Sequence, residues 1–121
     1  MTLVLPIPPS ANHLHTVARG RKIKSQSGRD YAANVAWAVK EWRRANPRAW
    51  TPRDGEHLKS VISIYPKDRR RFDIENRVKA VHDSVFACFD ADDAQVDELR
   101  VLRRSVDRQN PRLVLTLEAI S

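Results

Sequence analysis

One cysteine, Cys88, stands in 121 residues, which excludes an intramolecular disulfide and with it the disulfide-stapled scaffolds of small secreted proteins. Cys88 lies within an apolar helical pattern, where the expected role is a small buried side chain rather than a nucleophile. The sequence has no run of about 18 apolar residues, so no membrane span is expected. Met1 to Ser10 contains three prolines and no basic flank, unlike a signal peptide, and the expected compartment is the cytoplasm. Internal repeats and low-complexity stretches are missing too. What is there suffices to fold: hydrophobic residues make up 41% and charged residues 31%, which excludes wholesale disorder. A chain this short builds one core, so residues 1–121 are expected to form a single domain.

Acidic residues are outnumbered by basic ones. The net charge is +7, with 22 Lys+Arg against 15 Asp+Glu, a balance that favours a polyanionic partner such as nucleic acid. All of the excess sits in residues 1–60, with 11 basic and 4 acidic side chains, whereas residues 61–121 carry 11 of each. Inside that neutral half the signs are segregated. Lys67, Arg69, Arg70 and Arg71 crowd before Asp73, while Asp83, Asp90, Asp92, Asp93, Asp97 and Glu98 fall between Lys79 and Arg100 with no basic residue among them.

Residues 2–7 read as a short strand, with Pro6 suited to an edge or a strand end because proline cannot donate to a ladder. Residues 11–26 show no apolar period and accumulate Arg19, Arg21, Lys22 and Lys24, the pattern of a loop. Ser27 would cap a helix on which Tyr31, Val35, Ala38, Val39 and Trp42 recur until Pro47. The β-branched run 58–65 between Gly55 and Pro66 predicts a strand. Ile74, Val78, Val81, Val85 and Cys88 predict a second helix over about 73–89. Segments 98–106 and 112–119 alternate as two adjacent strands joined by a turn at 107–111. The expected fold is α+β, a two-layer sandwich with helices packed on one face of a mixed β-sheet. Trp37, Trp42 and Trp50 are expected in packing roles and His82 at the core edge or in solvent.

Two short segments carry chemistry, Asp73-Ile74-Glu75-Asn76 at a loop-to-helix junction and Asp92-Asp93-Ala94-Gln95 before a strand. Hydrolysing a phosphodiester requires stabilisation of charge on the phosphoryl oxygens and an activated water, and carboxylates holding magnesium supply both. Asp73 and Glu75 lie two apart where the chain is still part extended, so both could reach one ion. Lys79, one helical turn beyond Glu75, could pair with the scissile phosphate or hold Glu75 in place. The same residues also suit a purely structural account: Asp73 as N-cap, Glu75 favoured by the helix dipole, Glu75 and Lys79 as an i,i+4 pair, and Asp92-Asp93 as turn residues.

Taken together, Pro8-Pro9-Ser10-Ala11-Asn12, the run from Arg69 to Lys79, and Asp92-Asp93-Ala94-Gln95-Val96 resemble the RusA-type Holliday-junction resolvases, small dimeric magnesium-dependent endonucleases. The resemblance covers most of the chain. It implies catalytic roles for Asp73, Glu75, Asp93, Lys79 and Asp92, with Asp73, Glu75 and Asp93 as metal ligands for Mg2+, Mn2+ being able to substitute. It further implies a homodimer acting on branched DNA, with no membrane partner, in recombination and repair of phage or prophage origin. Glu75 stands where the family more often has aspartate, and Leu14-His15 where aromatic residues are frequent. The candidate DNA contacts are Arg69, Arg70, Arg71, Arg19, Arg21, Lys22, Lys24 and Asn12. The competing account is a non-catalytic nucleic-acid-binding protein, but that leaves the acidic cluster unexplained, since carboxylates near phosphates weaken binding. A structural interaction module leaves the positive charge unexplained.

Overall fold

The computed structural model describes residues 1–9, the backbone of residues 15–18 and 21–24, and residues 26–120. In chain order these form β1 (Thr2–Leu5), β2 (His15–Ala18), β3 (Arg21–Lys24), α1 (Gln26–Ala45), β4 (Leu58–Tyr65), α2 (Glu75–Phe86), a 3₁₀ turn (Asp93–Gln95), β5 (Val96–Arg103) and β6 (Arg112–Ala119). Four strands make one mixed sheet in the order β1-β6-β4-β5, and β2 and β3 form a separate antiparallel pair.

Alternation sets the inner face of the sheet. Leu3 pairs with Leu115, which pairs with Ile62, and Leu5 pairs with Leu113, which pairs with Ile64. Residues directly opposite share a face, so these side chains form one apolar floor, and all are at most 2% exposed. Onto it α1 turns Tyr31, Val35 and Val39, and α2 turns Ala80, Val81, Val85 and Phe86, in one continuous core. The Tyr31 hydroxyl donates to the Pro6 carbonyl at 2.9 Å, which gives that buried polar group a partner. Both helices therefore cover the same face, the expected α+β arrangement. Trp42 and Trp50 pack against the core, whereas Trp37 is 63% exposed.

Strands β4 and β6 occupy the ranges their alternation predicts. Four expectations need correction. Ser27 does not cap α1, which already begins at Gln26 and holds Ser27 as its second residue. The segment 11–26 is not all loop, because within it β2 and β3 pair with Ala18 opposite Arg21; strands of four residues each are too short to show a period in the sequence. The second helix is shorter than expected. After Phe86 the chain tightens into turns with Cys88 N–H donating to Val85 and Phe89 N–H to Phe86, the three-residue closure that ends many α-helices. Finally, β5 and β6 are not neighbours: β5 pairs parallel with β4, and β6 runs antiparallel between β1 and β4. Composition accounts for this. Leu113, Leu115 and Leu117 are fully buried and demand a central strand, while Asp97, Glu98 and Arg100 are exposed and suit an edge. The intervening segment crosses the end of β4, with Arg104 N–H donating to Ile64 and Asp107 N–H to Pro66.

Leu115 sits between Leu3 and Ile62 at the centre of the floor. Leu115→Ala is expected to lower unfolding free energy by about 2–5 kcal/mol, read from urea denaturation; a loss well under that range would mean the floor is not the core.

Candidate functional site

The site begins where β4 ends. Pro66 stops the strand, and Lys67, Arg69, Arg70 and Arg71 follow as exposed side chains. Asp68 shapes the loop by accepting from the Arg70 backbone N–H at 3.0 Å and lies 3.8 Å from the Arg70 guanidinium. Arg69 and Arg71 have no protein partner among the described residues. Phe72 then anchors the chain: the Arg103 guanidinium lies 4.4 Å from its ring centroid and donates to its carbonyl, while Arg77 stands 5.4 Å away on the same ring. Cation–ring contacts of this kind hold both partners in place.

Asp73 follows directly. Its Oδ1 accepts from the Glu75 backbone N–H at 3.0 Å, which satisfies one of the first-turn donors that every helix leaves open. Ile74 occupies the N-cap position itself and has no side-chain cap bond, so the capping carboxylate stands one residue earlier than the simple N-cap pattern. Glu75 is the first helical residue, exposed at the positive end of the helix dipole. Asp73 and Glu75 are both solvent-exposed.

Glu75, Lys79 and Asp83 recur every four residues and so share one face of α2. Lys79 pairs forward, not back to Glu75: its Nζ donates to Asp93 Oδ2 at 2.9 Å and lies 3.0 Å from Asp83 Oδ1. These bonds, Asp93 first and Asp83 second, push the Lys79 pKa up and keep it charged. In turn the Lys79 ammonium holds the Asp93 carboxyl below the usual carboxylate range, against a smaller opposing effect of burial. The side chains of Lys79 and Asp93 are 70% and 32% exposed, and ion pairs this open to water contribute only about 1 kcal/mol or less. An incoming cation can therefore displace the lysine from Asp93 at small cost.

Asp92 builds the turn that presents Asp93. It adopts an extended conformation, its Oδ1 accepts from Ala94 N–H at 2.8 Å, and its own N–H donates to Gln95 Oε1 at 2.9 Å, a reciprocal capping box. The Gln95 amide donates to the carbonyls of Arg53 and Glu56, fastening this turn to the segment before β4. Behind the cluster His82 is buried, with Nε2 2.8 Å from Ser60 Oγ on β4; burial pushes its pKa down, partly opposed by Asp93 and Asp83.

The structure thus joins Lys79 with Asp93 and sets Glu75 one turn away on the same helix face. Among the described residues no group of three or more His, Cys, Asp and Glu side chains stands together as a ready cage for a metal ion. The donors on offer are all carboxylate oxygens. That chemistry fits magnesium, which keeps most of its waters and needs only one or two protein carboxylates. Asn12 and Arg19 lie outside the described residues, and Arg21, Lys22 and Lys24 lie on β3. Composition and spacing gave Asp83 no role of its own, although its four-residue offset from Lys79 equals that of Glu75. The exposed pair His57 Nδ1 and Asp97 Oδ2, 2.6 Å apart, left no signal at all, being 40 residues apart in the chain.

Comparison with known proteins adds a separate line of observation. The sequence model described as "Endodeoxyribonuclease RusA" matches residues 6–118. The chain is 36% identical over 117 residues to the crossover junction endodeoxyribonuclease RusA of Escherichia coli K12, covering 96% of this chain and 92% of that protein. It is 36% identical over 116 residues to the protein of the same description from Enterobacteria phage 82, covering 95% and 91%, and 35% identical over 117 residues to that of Shigella sonnei, covering 96% and 92%.

The capping box makes a prediction that separates shape from charge. Asp92→Ala is expected to cost about 1 kcal/mol of stability through the lost cap, and Asp92→Asn only a few tenths, because asparagine caps equally well. Chemical denaturation of both variants checks this, and equal losses would show that the charge rather than the cap matters.

Proposed function

Since the chain belongs to the RusA family of endodeoxyribonucleases, we propose that it resolves four-way DNA junctions by paired, magnesium-dependent cuts, with residues 1–121 as one catalytic domain acting as a homodimer in the cytoplasm. The observation that carries this reading is the forked ammonium of Lys79 between Asp93 and Asp83, set one helical turn from Glu75 on the helix that follows the exposed cations Arg69 and Arg71 in the chain. A protein that only bound DNA would gain affinity by losing those carboxylates.

In this mechanism Asp73, Glu75 and Asp93 would hold the metal, Mg2+ or Mn2+ in its place. When bound, the metal supplies positive charge to the phosphoryl oxygens and acidifies a water. Arg69, Arg70 and Arg71, with Arg19, Arg21, Lys22, Lys24 and Asn12, hold the phosphate backbone on either side. Lys79 gives up Asp93, is retained by Asp83, and turns its charge to the phosphodiester under attack. Asp92 keeps the turn that aims Asp93. Glutamate at position 75 carries one methylene more than aspartate, so its carboxylate would reach the metal from further along its side chain.

Two cuts related by the junction's own two-fold symmetry require two sites, and each chain offers one, hence the two-fold pair. The sheet face away from the helices supports such pairing: Val4 is 62% exposed there, in register with Val114. Among the described residues no helix is long and apolar enough to cross a membrane.

Asp73→Asn and Asp93→Asn are expected to lose junction cleavage by orders of magnitude while holding or improving junction affinity, measured by gel assay of labelled four-way DNA. Undiminished cutting by both would reject the site, and binding without cutting by the wild type in magnesium would favour the non-catalytic account. Alanine at all three of Arg69, Arg70 and Arg71 should reduce the slope of log K against log salt by about 0.9 for each phosphate no longer neutralised; an unchanged slope would put the DNA elsewhere. Mixed dimers of wild-type and Asp73→Asn subunits should nick one strand and spare the other.

A further inference from the structure

Beside the carboxylates the molecule has a cavity of about 520 Å³, within the size range of small-molecule sites. It lies where β1 exits, β4 ends and β6 begins. Its apolar surface comes from Ile7, Phe72 and the prolines at positions 6, 8, 66 and 111, while Lys67, Arg70, Arg71 and Arg77 bring positive charge against the single carboxylate of Asp68. Asp68 is already engaged by the Arg70 backbone. A ligand for such a lining has a flat apolar body and an anionic group.

Arg77 narrows the choice. Its Nη1 donates to the Pro8 carbonyl at 2.7 Å and its guanidinium stands 5.4 Å from the Phe72 ring centroid, so the wall holds a fixed planar cation. A planar cation beside an aromatic ring favours a flat, π-bearing occupant such as a nucleobase. Position settles the rest. The cavity wall at Phe72 runs straight into Asp73, so its occupant lies next to the strand that reaches the carboxylates. Bases inside a continuous duplex are stacked and out of reach, whereas bases at a branch point leave the stack at lower cost.

We infer that this cavity receives one unstacked nucleotide from the crossover of the junction, its base against Ile7, the prolines and Phe72 and its phosphate against the surrounding cations. The inference rests on the junction-resolving reading and gives that reading a device for choosing branched DNA over duplex. Arginine planes and apolar side chains are the surfaces on which extruded bases stack.

The test is binding in EDTA, so that cleavage plays no part. Four-way junctions carrying a single abasic site at each nucleotide flanking the crossover are compared with the intact junction, for the wild type and for Ile7→Trp and Pro111→Phe, which fill the cavity. At one position the abasic site should weaken wild-type binding about tenfold, the scale of one stacked base. The filled variants should lose that same factor on the intact junction and nothing further on that abasic one, with affinity for linear duplex unchanged. If Ile7→Trp fails to fold, Pro111→Phe at an exposed turn position carries the comparison. Wild-type binding within twofold for every abasic junction would overturn the inference. So would abasic and filling losses that multiply, or an abasic effect that filling leaves intact. Because the readout needs no metal, failure of magnesium-dependent cutting would defeat the proposed function and not this result, while normal cutting with no abasic effect would defeat the cavity alone.

Discussion

Lys79 donates to Asp93 at 2.9 Å and reaches Asp83 at 3.0 Å, and this fork ties two pieces of chain that the sheet alone would leave apart. α2 leads away from the end of β4, and the chain must return before it can enter β5 parallel to β4. On that return the 3₁₀ turn at Asp93 docks beside the middle of α2, not beyond its end. Without the ammonium, Asp93 and Asp83 would face each other as like charges. With it, an anionic cluster persists in a chain of net charge +7. The bond is open to water and therefore weak, as the proposed exchange of one cationic partner for another requires.

The remaining features arrange themselves around that fork. Arg103 and Arg77 hold Phe72, next to Asp73, whose carboxylate accepts from the first helical N–H of α2. Asp92 and Gln95 fasten the other side through their capping box and the Arg53 and Glu56 carbonyls. His82 and Ser60 close the polar floor between helix and sheet. The acidic groups are thus rigidly mounted, while the exposed cations of residues 67–71 stand alongside. Opposite charge is kept at separate places: long flexible cations suit a phosphate backbone, and fixed carboxylates suit a metal ion.

Much of the frame was legible because burial leaves a period in the sequence. β4 and β6 alternate strictly since one face of each is in the core, and Tyr31, Val35 and Val39 repeat every turn for the same reason. Strand neighbours leave no such trace. The alternation in 98–106 and 112–119 fits a hairpin as well as the arrangement found, and only the burial demanded by three leucines separates the two. The β2–β3 ribbon escaped notice because its strands are only four residues each and show no apolar period. At the site, the carboxylate segments were visible through their spacing and family resemblance, yet the partner of Lys79 was not. Glu75 and Asp83 both lie four residues from it, and local helix energetics favour the glutamate on the N-terminal side. Asp93, arriving from elsewhere in the chain, draws the ammonium the other way.

The central claim is that Asp73, Glu75 and Asp93 form one divalent-metal site. Electron paramagnetic resonance of Mn2+ added to the protein bound to a four-way junction tests it directly. Bound Mn2+ should be saturable in the wild-type complex and abolished or greatly weakened in Asp73→Asn and in Asp93→Asn. Equal Mn2+ binding by the wild type and both variants would contradict the assignment.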